Sequence, residues 1–109
     1  MERFVKGDIV VIPFPFSDLS GSKKRPALVI ADLQGDDIIL CQITSQQTRD
    51  KYAIPVKESD FKSGKLTAPS NIRPNRIFTA DKNIIIKKAA SLNEAAFNAV
   101  IQKVISILS

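Results

Sequence analysis

The feature that most constrains this chain is a series of short apolar, β-branched runs cut off by proline and glycine. Residues 7–12, Gly-Asp-Ile-Val-Val-Ile, form the first and stop at Pro13 and Pro15, which lack the backbone donor a sheet needs. A second run covers residues 25–31. Asp32-Leu33-Gln34-Gly35-Asp36 then supplies a turn into a third, residues 37–44. The second and third runs are nearly continuous in apolar residues rather than alternating. That pattern requires burial on both faces or closure into a small barrel.

Shorter strand candidates follow at residues 52–56, 71–73, 76–80 and 84–88, with no helical period between them. Regularly spaced short strands without intervening helices favour a small all-β barrel over βαβ units. Only the C-terminal segment is helical in pattern. Leu92, Phe97, Val100, Ile101, Val104 and Leu108 share one face, and Glu94, Asn98, Gln102 and Ser106 share the other. Ser91 and Glu94 make a capping box that predicts the helix start. The expected fold class is mainly β with a C-terminal α-helix. At 109 residues, the chain has room for one core, so residues 1–109 are expected to form a single domain.

Sixteen Lys plus Arg against 11 Asp plus Glu leave a net charge of +5, the footprint of a polyanion binder once the charges are placed in a cleft. Cys41 lies within Ile38-Ile39-Leu40-Cys41 and reads as a small buried hydrophobe. No charged N-terminal segment precedes a long apolar stretch, so a cytoplasmic, non-membrane protein is expected.

The chain contains no histidine, hence neither the usual neutral-pH proton carrier nor the commonest transition-metal ligand. Its carboxylates show no metal-ligating or paired acid/base spacing, and turn or cap duty accounts for most of them. No metal or cofactor is expected. Such a chain retains chemistry that runs on cations and hydroxyls. RNA offers it, because its 2′-OH is a nucleophile already beside the phosphate. The protein must then hold the backbone in line and stabilise the charge that grows on phosphorus.

Two places are suited to this: Lys23-Lys24-Arg25-Pro26, where the second strand begins, and Thr44-Ser45, where the third runs out. If these strands are antiparallel neighbours, Arg25 and Thr44 meet at one rim of the sheet. From spacing alone, Arg25 also reads as a surface residue closing a strand, and Thr44-Ser45 as ordinary strand-end chemistry. Residues 13–24 mix turn formers with Phe14 and Phe16 and are expected to form a long loop. Its two aromatics are read as pinning that loop to the core, with base stacking as the other role.

Lys6-Gly7-Asp8-Ile9-Val10, then Arg25-Pro26-Ala27-Leu28-Val29-Ile30, then Ile43-Thr44-Ser45 resemble, in order and spacing, the MazF/PemK toxins. The resemblance is clear from Gly7 to Ser45, looser to Asp81, and ends in a C-terminal helix this family also has. It implies an SH3-like small barrel and a homodimer whose groove takes single-stranded RNA. Cleavage would leave a cyclic phosphate and a 5′-OH. A cognate antitoxin is implied as partner, docking on the helix and the 13–24 loop, with DNA met only indirectly through the antitoxin complex.

Carried over by that resemblance, Arg25, Thr44 and Ser45 are the catalytic candidates. Arg25 would stabilise the phosphorane, although a guanidinium is a poor base, and Thr44 would orient the scissile phosphate. Lys23, Lys24, Arg73, Asn75 and Arg76 are candidate RNA contacts. Where relatives often carry an acidic residue in the groove, this chain has Asn75, which donates as well as accepts and should alter the base read there. A CcdB-like gyrase poison shares the fold, but such poisons resemble one another at a Trp-bearing tail. This chain has no Trp and ends Ile107-Leu108-Ser109. A non-catalytic small barrel binding nucleic acid or protein is the other competitor.

Overall fold

The computed structural model describes residues 3–14, 23–44, 50–66 and 68–109. The strands are β1 (Asp8–Phe14), β2 (Lys23–Asp32), β3 (Asp37–Thr44), β4 (Ile54–Val56), β5 (Phe61–Gly64), β6 (Ser70–Asp81) and β7 (Lys87–Leu92). They form one antiparallel sheet in the order β4-β6-β3-β2-β1-β7-β5, which curls into a half-barrel. One helix, α1 (Glu94–Leu108), ends the chain. The mainly β class with a C-terminal helix is therefore the one the sequence predicts. Among the described residues no helix is long and apolar enough to cross a membrane.

The nearly continuous apolar runs of β2 and β3 are explained by two cores, one on each face of the sheet. Leu28, Cys41, Ile43 and Ile72 pack with Ile9, Ala90 and Leu92 under Val100 and Val104 of α1. On the other face Val10, Ile12, Ala27, Val29, Ile38 and Leu40 are covered by Phe4, Phe78, Ala80 and Ile85. Each fully buried aliphatic side chain contributes about 1.5–3 kcal/mol of transfer free energy. Cys41 belongs to the first core. Burial pushes its thiol up to about 12, while its Sγ donates to the Arg73 carbonyl at 2.8 Å.

Several boundaries differ from the sequence reading. β1 runs through Pro13 to Phe14, and β2 begins at Lys23, so both strands enter the predicted 13–24 loop. The Val11 carbonyl faces the β7 side, accepting from Ile86 N at 2.8 Å. Two residues on, Pro13 turns its missing donor the same way, past the last β7 partner, Val11↔Lys87. Residues 15–22, with Phe16, lie outside the described residues.

The two strands predicted around Pro74 are one strand, β6. Its pairing steps from Gln42↔Arg73 to Cys41↔Ile77, so Pro74, Asn75 and Arg76 form a bulge that absorbs the proline. The strand predicted at residues 84–88 starts later, at Lys87. Asp81 accepts from Asn83 N at 2.8 Å and turns Lys82–Ile84 into a short 3-10 segment first.

The helix start also moves. Asn93, not Ser91, is the N-cap and accepts from Ala96 N at 2.8 Å. Ser91 remains in β7, where its hydroxyl donates to the buried Asp8 carboxylate at 2.8 Å, a stronger demand than capping.

β5, which the sequence pattern does not signal, pairs with β7 through a glycine at close approach. Gly64 has φ +69°, and a Cβ there would lie 2.5 Å from the Ala89 carbonyl oxygen and 2.8 Å from Ala90 Cα. Gly64→Ala is expected to destabilise the chain by about 2 kcal/mol or more, combining left-handed strain with displacement of the β5 edge. Urea unfolding would show a lower midpoint at unchanged slope.

Candidate functional site

β2 and β3 pair as Ala27↔Gln42, Leu28↔Cys41 and Val29↔Leu40. Extended two residues past the last pair, the same register would bring Arg25 level with Thr44, with alternation putting both on the face of Ala27 and Gln42. The ladder stops before that level for a chemical reason. Val11 turns its polar groups to β7, so its β2 partner Pro26 turns its own to β3, where it has no N–H to give. The sheet thus opens just where Arg25 and Thr44 stand, leaving both half-buried.

Thr44 pairs in turn with Asn71, and Gln42 with Arg73, so one face carries Arg25, Thr44, Asn71 and Arg73 across three strands. Arg73, a candidate RNA contact, is engaged: its Nε lies 3.1 Å from Asp50 Oδ2, with the side chains 18% and 8% exposed. Tyr52 N donates to the same carboxylate at 3.0 Å, and Asn75 donates to it from the β6 bulge. The Tyr52 amide, then Arg73 and Asn75, hold the Asp50 carboxyl below its ordinary range.

Asp50 was missed by sequence reasoning, where an Asp before Lys51-Tyr52 signals only an Asx turn. The structure makes it a hub joining the turn at residues 50–53 to the bulge. A carboxylate therefore does stand beside Asn75, delivered from another part of the chain. Arg76 is exposed in the bulge, Lys23 enters through its backbone pairing with Phe14, and Ser45 lies outside the described residues.

The other flank of Arg25 is a cleft of about 490 Å³. It is lined by Lys24, Arg25, Pro26 and Val11, by Lys87, Lys88 and Ala89 of β7, by Lys65, Leu66 and Ala68 between β5 and β6, and by Ser70 at the start of β6. Among its described lining residues five are cations and none is a carboxylate. A larger depression of about 660 Å³ includes Asp32 and Lys82. There Lys82 Nζ lies 2.7 Å from Asp32 Oδ1 and donates to the Leu33 and Gly35 carbonyls. Lys82 and Asp32 are spent on holding the β2–β3 turn, and no candidate residue lines the depression, so the smaller cleft is the functional candidate.

Residues 5–108 match the family described as the PemK-like, MazF-like toxin of type II toxin-antitoxin systems. The chain belongs to that family. Among solved structures, this MazF/PemK-family chain resembles an endoribonuclease in complex with its cognate antitoxin from a mycobacterial species. That match has 13% identity, covers 97% of this chain and 95% of the other, and has a TM-score of 0.75. It also resembles a chain of the MazE-MazF complex from Deinococcus radiodurans, at 17% identity, 100% and 98% coverage and a TM-score of 0.77. At these identities the likeness shows the shared fold. No curated protein matches.

Proposed function

We propose that this chain is the toxin of a type II toxin-antitoxin pair and cuts single-stranded RNA, without a metal, in the cytoplasm. The reading is supported by the β2–β3 register, which, extended two residues past Ala27↔Gln42, would bring Arg25 opposite Thr44, beside a cleft whose described lining holds five cations and no carboxylate. The 2′-oxygen attacks the adjacent phosphorus and the P–O5′ bond breaks. The 2′-hydroxyl gives up its proton as it attacks, and the departing 5′-oxygen takes one up, so the products are a 2′,3′-cyclic phosphate and a 5′-OH. Arg25 stabilises the extra negative charge on the phosphorane, and Thr44, with Ser45 beside it in sequence, orients the phosphate.

Lys23, Lys24 and Arg76 supply phosphate contacts, while Arg73 and Asn75, gathered on Asp50, lie where a base edge is read. The antitoxin partner is supported by the two solved complexes, one an endoribonuclease with its antitoxin and the other MazE-MazF. The homodimer follows from the family resemblance, and DNA is reached only through the antitoxin complex.

The test is incubation of purified protein with a long single-stranded RNA in EDTA, followed by sequencing of the 5′-OH ends. Discrete cuts are expected, and a substrate carrying 2′-deoxyribose at the cut nucleotide should survive. Cleavage of that deoxy substrate would refute internal attack. The absence of cuts would return the chain to the gyrase-binding or non-catalytic readings.

A further inference from the structure

We propose that Lys65, Lys87 and Lys88, none of them adjacent to the candidate catalytic residues in sequence, form a phosphate track that carries the RNA backbone away from Arg25 across β1 and β7. The proposal rests on the ribonuclease reading and extends it to a second part of the surface.

Strand order supplies the geometry. With neighbouring strands about 4.8 Å apart, β7 lies two steps, about 10 Å, to one side of Arg25, and β6 lies two steps to the other. Near the candidate site, the β3–β6 side carries Thr44, Asn71, Asn75 and the Arg73–Asp50 pair, with Arg76 in the β6 bulge the one exposed cation of these two strands. The β1–β7 side carries net positive charge. Lys87 and Lys88 pair with Val11 and Val10, Lys24 with Pro13, and Lys65 follows the Gly64 turn that brings β5 onto β7.

Lys87, Lys88, Lys65 and Lys24 are all exposed, and among the described residues none has a carboxylate partner. Because side chains alternate along β2, a cleft lined by Lys24, Arg25 and Pro26 together wraps the strand's rim rather than lying on one face. A flexible polyanion can follow such a rim. The aliphatic floor of Val11, Pro26 and Leu66 offers nothing that reads a base edge. The chemistry of the track is that of sequence-independent backbone binding, leaving base reading to the Asp50 side.

Counterion release provides the test, because each phosphate contact to a single strand adds about 0.7 to the slope of log affinity against log salt. Affinity for a mixed-sequence, fully 2′-O-methylated RNA, which cannot be cut, would be measured by fluorescence anisotropy from 50 to 200 mM KCl. Lys65→Gln, Lys87→Gln and Lys88→Gln combined should lower the slope by about 2. Across that salt range the wild type would then lose roughly 18-fold more affinity than the variant.

The matching Lys→Arg triple keeps the charge and should restore the slope. A control triple at Lys6, Lys57 and Lys103, which do not line the cleft, should leave both slope and cleavage unchanged. An unchanged slope in the Gln variant, with wild-type cleavage intact, would overturn the track and assign these cations to another acidic ligand. The same would follow if the control triple lowered the slope equally. A wild-type chain that neither bound nor cut RNA would overturn the ribonuclease reading itself.

Discussion

Arg25→Ala is expected to lower kcat on a cleavable RNA by about 10²–10³-fold, the cost of losing one preorganised donor to a developing oxyanion. The reasoning is differential. A phosphate gains negative charge as it becomes a phosphorane, so a cation beside it binds the transition state more tightly than the substrate. Arg25→Lys should recover only part of the loss, because an ammonium keeps the charge but not the planar fork. Thr44→Val, nearly isosteric, should cost less, since a neutral hydrogen bond is roughly half as strong as a charge-assisted one.

A register that, extended past Ala27↔Gln42, would bring Arg25 level with Thr44 makes a further demand. If the two act on one phosphate, the double variant should be little worse than Arg25→Ala alone, as in catalytic groups that work as a unit. Single-turnover rates at saturating RNA decide this. A raised KM with unchanged kcat would show Arg25 to be an ordinary phosphate contact.

Why the strand ends carrying Arg25 and Thr44 could be anticipated from the sequence, and the positions of Asp50 and the cleft lysines could not, is a matter of locality. Asp36 and Gly35 mark one turn, and a hairpin brings the start of one strand and the end of the other to the same rim. Counted from the turn pairs Asp32↔Ile38 and Ala31↔Ile39, Arg25 would fall opposite position 45; a bulge between Val29 and Ala31 shifts the register by one, toward Thr44, so the turn fixes the neighbourhood and not the pair.

Lys87 and Lys88 reach the same neighbourhood only because β7 pairs with β1, a contact spanning most of the chain that no local pattern encodes. Lys65 arrives by β5, where Phe61-Lys62-Ser63-Gly64 has one apolar residue and no alternation to detect. The Ser91 misreading has the same origin: the capping box was locally sound, but the buried Asp8 carboxylate, 83 residues away, claimed the hydroxyl. Pro74 likewise argued for a break, because a proline bulge and a strand end look alike before the partner strand is known.

Asp50→Asn carries the second large expectation, in which stability and activity separate by pH. In the wild type the carboxyl is held below its ordinary range by the Tyr52 amide, Arg73 and Asn75, so ionised Asp50 favours the folded state. Its contribution is fully present above the unfolded carboxyl's pKa, about 3.9, and is lost as pH falls through the lower folded value. The stability gap between wild type and Asp50→Asn should therefore hold steady from pH 5 to 8 and close below about pH 4, readable as converging urea midpoints.

Activity at neutral pH should fall about tenfold to a hundredfold, because the substitution releases Arg73, which shares a sheet face with Thr44, and small misplacements cost that much in a positioned reaction. The cycle with Arg73→Gln separates the causes. If Asp50 acts through Arg73, the double variant will match the single ones, with a coupling energy that cancels one of the two losses. Additive losses would mean that Asp50 supports the site through Tyr52 and Asn75 instead. The 5′ ends of the residual products add a second reading. A changed cut motif in Asp50→Asn would place the base-reading edge on this cluster, whereas an unchanged motif at reduced rate would make Asp50 a positioning residue only.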